Sequence, residues 1–236
     1  SDLSPARSSL RHVLPLALFL ATVITTTSAG ALYVHQGSGI APISDGLPFS
    51  IPLLAILVAH EFGHYFTARL HGVPASLPYF IPLPPMVGLF GTMGAVIGMR
   101  SMTSDRRKLI DIGASGPLAG LIVAIPVLAY GISLSKVGPA TGNTMQEGNS
   151  ILYALLKYAV TGRWLPGDGV DVQMHPTALA GWAGLLVTMI NLIPLGQLDG
   201  GHIAAAFFGN RWNRVIPRLQ RGLLFLAGAV VVWVYL

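Results

Sequence analysis

Apolar residues in this 236-residue chain fall into long blocks separated by shorter stretches rich in Pro, Gly and charge. Blocks of about 20 apolar residues are long enough to cross a bilayer as helices. They predict spans over about His12–Val34, Phe49–Leu70, Leu109–Leu134 and Pro176–Leu195, and a fifth from near Arg214 to Leu236. The apolar run Leu223–Leu236 supplies only about 21 Å of helix. The fifth span therefore starts earlier, with Pro217 in its first turn, or continues beyond the sequence given. Residues 12–33 read as an anchor, since they lack a signal-peptide cleavage pattern.

One uncharged stretch does not read as a helix. Leu77–Met99 contains Pro78, Pro82, Pro84 and Pro85, each lacking an N–H and clashing with a preceding turn. Gly88, Gly91, Gly94 and Gly98 then punctuate a segment in which Phe90, Thr92 and Val96 alternate with Met93, Ala95 and Ile97. That pattern predicts a glycine-loosened hairpin. At membrane depth such backbone must be covered by protein or face a wet cavity. The expected fold is thus an all-α polytopic membrane protein of about five transmembrane helices, with a re-entrant β-hairpin-like loop between the second and third. No internal repeat interrupts a single domain over 1–236, whose core covers about 49–210.

Composition agrees with immersion in lipid. Hydrophobic residues make up 53% and charged residues 10%, against about 25% charged in soluble domains; mean hydropathy is +0.65. The net charge of +5 comes from basic residues at span ends, which fits anionic lipid and not nucleic acid. Alternate sides of the five-span scheme carry eleven Lys and Arg against three, so the amino terminus is expected in the cytoplasm. A multi-pass protein of a prokaryotic cytoplasmic membrane is the expected setting. With no Cys, any metal must be held by His and carboxylate.

Within the second span stands His60-Glu61-Phe62-Gly63-His64. Histidines at i and i+4 share a helical face and suit two ligands of one tetrahedral zinc, with the Glu placed as general base toward water on the metal. Ionisable groups at a span centre cost roughly 2.5–3.5 kcal/mol each, so three of them call for a partner. Zinc needs a third protein ligand. Of the acids, Asp199 lies at the end of a span that can pair with the second, in Asn191-Leu192-Ile193-Pro194-Leu195-Gly196-Gln197-Leu198-Asp199-Gly200-Gly201-His202. Pro194 and Gly196 interrupt the helix and let Asp199 turn inward. The competing reading is a helix C-cap with a solvated acid. Asp111, beside Arg106–Lys108, is expected at the interface.

These two motifs, in this order and separation, resemble the site-2 protease family of intramembrane zinc metalloproteases. The resemblance runs from the second span to just past His202 and takes in Gly113-Ala114-Ser115-Gly116-Pro117-Leu118-Ala119-Gly120. It implies one zinc per chain on His60, His64 and Asp199, Glu61 as the catalytic base and Asn191 as a substrate or oxyanion contact. It implies a transmembrane segment of another membrane protein as substrate. The family's re-entrant hairpin corresponds to about Tyr79–Arg100. Its exposed edge, at Gly91, Thr92, Met93, Gly94 and Ala95, is the expected binding strand for an unwound substrate. His202 is either a neighbour supporting the ligands or an interfacial polar residue. Many bacterial members carry a PDZ module of on the order of 80–100 residues; Ser135–His175 is too short for one and instead holds an amphipathic helix over Ile151–Val160.

The runner-up is a divalent metal transporter, since intramembrane His and Asp also mark ion routes. A route needs further ligands, and the outer halves of these spans offer none. His35 and His71 are expected to be interfacial or solvated, and His175-Pro176 to start a helix.

Overall fold

A computed structural model of the protein describes residues 5–35, 42–85, 87, 88, 90–99, 105–139, 148–167, 169–196, 198–209, 215–218, 221 and 222. Helix α1 runs Pro5–His35, and after a 3-10 turn at Ile43–Gly46 helix α2 covers Leu47–Leu70. Strands β1 (Tyr79–Pro82) and β2 (Thr92–Val96) precede helix α3, Arg106–Leu134. Strand β3 (Lys136–Pro139), helix α4 (Ile151–Thr161) and strand β4 (Val170–Gln173) follow, then α5 (Pro176–Asn191) and α6 (Asp199–Phe208).

Among the described residues, three helical stretches are long and apolar enough to cross a membrane: Val13–His35, Ile43–Leu70 and Arg106–Leu134. The burial pattern of α1 is the reverse of a soluble helix. Leu16, Leu20 and Ile24 are more than half exposed, while Thr22 and Thr26 are fully buried. Those hydroxyls are satisfied within the helix, Thr22 donating to Leu18 O at 2.8 Å and Thr26 to Thr22 O at 2.7 Å. Such a helix suits lipid outside and close, small-residue packing inside.

The expected fourth span is shorter than its sequence pattern. Helix α5 stops at Asn191, not Leu195. Its 16 residues give about 24 Å of helix against a core of about 30 Å. Pro194 cannot supply an N–H to a continuing helix, and the chain turns through Leu195–Leu198 before α6 begins. The proposed fifth span falls largely outside the described residues, which there include a helical turn at 215–218.

Helices α2, α3 and α5 form the centre of the molecule. Glycines set their spacing: a methyl on Gly181 would come 2.7 Å from Leu128 Cα, and one on Gly184 2.7 Å from Ile56 Cδ1. Phe49, Leu53 and Leu57 of α2 join Leu179, Ala180 and Ala183 of α5 and Phe80 of β1 in one buried cluster. Phe80 also meets Phe19 of α1 edge-on, ring centres 5.1 Å apart.

The Pro- and Gly-rich stretch forms two antiparallel strands, Tyr79 opposite Val96 and Phe80 opposite Ala95, with an irregularity before Pro82 pairs with Thr92. Gly91 seats the turn on α1, its carbonyl accepting from Thr25 Oγ1 at 2.6 Å. A second pair, β3 with β4, lies at the other end of α3. Helix α4 packs there, one residue longer than its sequence pattern. It is capped by Ser150, which accepts from Tyr153 N at 3.2 Å, and by left-handed Gly162. Its inner face buries Lys157, whose Nζ is 3.1 Å from Asp171 Oδ1 and 4.6 Å from the Tyr153 ring centre.

Candidate metal centre

Helical periodicity puts His60 and His64 on one face of α2; that face meets α3, and Asp199 at the start of α6 reaches it. Asp199 arrives from a different direction than the sequence pattern indicates. It is the first residue of α6, not a residue capping the end of α5. Gly200 and Gly201 make this possible, because α6 begins folded back on the preceding turn. A methyl on Gly201 would lie 2.5 Å from Gly196 O, and one on Gly200 would collide with Leu192 O.

Three atoms then converge. His60 Nε2 and His64 Nε2 each stand 3.2 Å from Asp199 Oδ2 and 3.3 Å from each other. His64 Nδ1 is 2.6 Å from Ile112 O, which can only accept. Nδ1 therefore carries the hydrogen, and the neutral ring turns a bare lone pair on Nε2 toward the other two atoms. With the His60 hydrogen also on Nδ1, two imidazole lone pairs and a carboxylate oxygen would face one another in a largely buried place, an arrangement that needs a proton or cation among them. Ligand atoms about 2.0–2.2 Å from a tetrahedral zinc stand about 3.3 Å apart, which is the spacing seen here. Among the described residues, this is the one group of three His or carboxylate side chains close enough to share an ion.

The surroundings fit the same use. Gly116 and Gly120 do more than pack helices: a methyl on Gly116 would run into His64 Nε2, and one on Gly120 would come 3.2 Å from His60 Nδ1. The groups these two glycines make room for are imidazoles. The Ile112 carbonyl had no signal in the sequence. His60 and Glu61 are buried, 3% and 7% exposed, and both border a cavity of about 390 Å³ with His64, Asp199, Asn191 and His202. Asn191, the last residue of α5, places Nδ2 3.3 Å from His60 Nε2.

Strand β2 supplies the facing wall through Met93, Ala95 and Val96. Of the five residues expected to bind substrate there, Met93 and Ala95 line the cavity. Gly91 is against α1, where any side chain would strike Thr25. Thr92 Oγ1 donates to Ile81 O at 3.0 Å and accepts from Gly94 N at 3.0 Å, so these residues shape the strand. The competing acid, Asp111, is engaged elsewhere, 3.0 Å from His71 Nε2. His35, likewise, pairs with Asp45 at 2.7 Å, and His175 caps α5, accepting from Thr177 N at 3.2 Å.

Fold and site together define a helical membrane protein with a buried two-histidine, one-aspartate centre beside a glutamate. The model of peptidase family M50 matches residues 48–235, and the chain belongs to that family, the site-2 proteases. It is 30% identical over 225 residues to "Probable zinc metalloprotease EGY1, chloroplastic" of Arabidopsis thaliana, covering 84% of this chain and 40% of that protein. It is 31% identical over 186 residues to "Probable zinc metalloprotease EGY2, chloroplastic" of Oryza sativa subsp. indica, covering 77% and 33% respectively. The chain thus spans less than half the length of these relatives. Family membership and three apolar helices make it an integral membrane protein.

Proposed function

We propose that this chain is an intramembrane zinc endopeptidase that hydrolyses peptide bonds within transmembrane segments of other membrane proteins. The observation that carries the reading is the convergence of His60 Nε2, His64 Nε2 and Asp199 Oδ2 beside buried Glu61, in a cavity walled by a strand. His60, His64 and Asp199 hold the ion, one per chain. Zinc, when bound there, supplies a Lewis acid that polarises a carbonyl and acidifies water from 15.7 toward about 7.

The protein's own groups do the rest. Glu61 takes a proton from the attacking water and returns it to the departing amine, the exchange expected of a buried carboxylate at a reacting centre. Asn191, whose amide already points at His60, donates a hydrogen bond to the oxyanion that forms from the substrate carbonyl. His202, on the cavity wall, supports this polar end of the site. A peptide bond inside a helix is shielded by its own hydrogen bonds, so the substrate must unwind first. Strand β2 pairs with β1 alone among the described residues. Its other edge can take up the opened segment by strand addition, with Met93 and Ala95 toward the cavity.

The same reading places the β1–β2 hairpin as a re-entrant loop between the second and third of about five crossings, with the amino terminus cytoplasmic. Reporter fusions at the amino terminus and after Leu134 read the sides directly. The relatives' names place them in chloroplasts; a prokaryotic cytoplasmic membrane is the setting proposed for this chain. The function is tested with purified protein and a helical membrane substrate, with and without chelator. Cleavage that chelator stops and zinc restores is expected; chelator-resistant cleavage, or none with stoichiometric zinc bound, overturns the reading. A metal-transport reading has no second ligand group among the described residues to support a route.

A further inference from the structure

The two histidines differ in what holds their outer nitrogens. His64 Nδ1 is held by the Ile112 carbonyl at 2.6 Å. His60 Nδ1 is buried and has no hydrogen-bond partner. An orphan of this kind is rare, because a buried polar group without a partner is strongly disfavoured.

Next to it, across the close approach that Gly120 allows, lies Thr188 of α5. A methyl on that glycine would come 3.2 Å from His60 Nδ1, 3.3 Å from His60 Cβ and 3.5 Å from Thr188 Oγ1. Two polar atoms, one from α2 and one from α5, thus border the same missing side chain of α3. Thr188 is 5% exposed, and its hydroxyl donates to Gly184 O at 2.9 Å. With its hydrogen committed there, Oγ1 has only lone pairs to offer toward His60. An imidazole N–H is their complement.

From this we infer that Thr188 is a positioning residue for the metal centre: its Oγ1 accepts the Nδ1–H of His60 when the ring is seated for an ion. The bond fixes the tautomer in which the His60 Nε2 lone pair faces Asp199 and His64. Ligating histidines depend on such an outer partner for ring orientation and basicity. Thr188 is absent from the lining of the catalytic cavity, so it acts through His60 and not on substrate. The inference rests on the metal-centre reading above.

The test uses the full chain with Thr188→Val, which keeps the shape and removes the hydroxyl, and Thr188→Ser, which keeps the hydroxyl and removes the methyl. Zinc content is followed by elemental analysis under graded chelator, and the visible spectrum is recorded after cobalt loading. Thr188→Val is expected to lose zinc with about 10- to 100-fold weaker retention and an altered cobalt spectrum. Thr188→Ser should stay with the wild type in both. A purely structural role predicts the opposite order, since valine preserves the packing that serine loses. If Thr188→Val does not accumulate, Thr188→Ala replaces it in the same comparison. Stoichiometric zinc held equally by wild type and Thr188→Val, or serine falling with valine, overturns the role of Thr188 alone. A wild type that holds no zinc at all overturns the metal centre itself.

Discussion

Among the described residues, two places bury ionisable groups, and they bury them differently. Under α4, Lys157 is fully enclosed, but its ammonium meets Asp171 at 3.1 Å and the Tyr153 ring face at 4.6 Å. The same Asp171 oxygen also accepts from Val172 N at 2.8 Å. Each charge there has an opposite and its hydrogen bonds are made. In the α2–α6 centre, two imidazole Nε2 atoms and a carboxylate oxygen face one another, and a further carboxylate, Glu61, borders the same cavity. The first arrangement has its counter-charge in place. The second needs a proton or a cation among its atoms, and that open requirement is what suits it to hold an ion.

The comparison can be broken by substitution. Glu61→Gln should lower cleavage by on the order of 10²–10⁴-fold while zinc content and thermal stability stay near wild type. Undiminished turnover by that variant would remove Glu61 from the chemistry. Lys157→Met should do the reverse. Leaving half-buried Asp171 without its partner costs about 1–3 kcal/mol of stability, with zinc content per folded molecule unchanged. Adding Asp171→Asn should recover much of that loss; if zinc falls instead, the two regions are not independent. Asn191→Ala sharpens the division inside the site, lowering the rate by about 10²–10³-fold with zinc retained. An equal loss of zinc would make Asn191 part of the ligand scaffold. The smallest effect is expected from Ser150→Ala, which removes the α4 cap at about 1 kcal/mol and leaves cleavage of folded protein untouched; a melting curve reads it.

The sequence and the structure agree best where a local rule decides the outcome. The His60–His64 spacing and the break at Pro194 follow from periodicity or from what Pro does to a helix end. The hairpin is wider than its glycine-marked segment, because β1 (Tyr79–Pro82) comes before Pro84 and Pro85 and Pro82 itself pairs with Thr92. Asp199 was legible as a ligand candidate, but not as the opening residue of α6. Its placement depends on Gly200 and Gly201 folding against the turn before them, a contact without local periodicity. The Lys157–Asp171 pair was not legible either. The two residues are 14 apart, on a helix and a strand, and nothing in either segment marks them as partners. The Ile112 carbonyl is invisible to any side-chain reading, since every residue carries one.

Gly116 ties the architecture of the third span to the affinity of the ion site through one missing carbon. Any side chain there intrudes on the His64 imidazole, although alanine in a transmembrane helix is ordinarily innocuous. A single methyl there would have to displace a ligand ring, so the smallest possible enlargement of this helix is felt first at the ion.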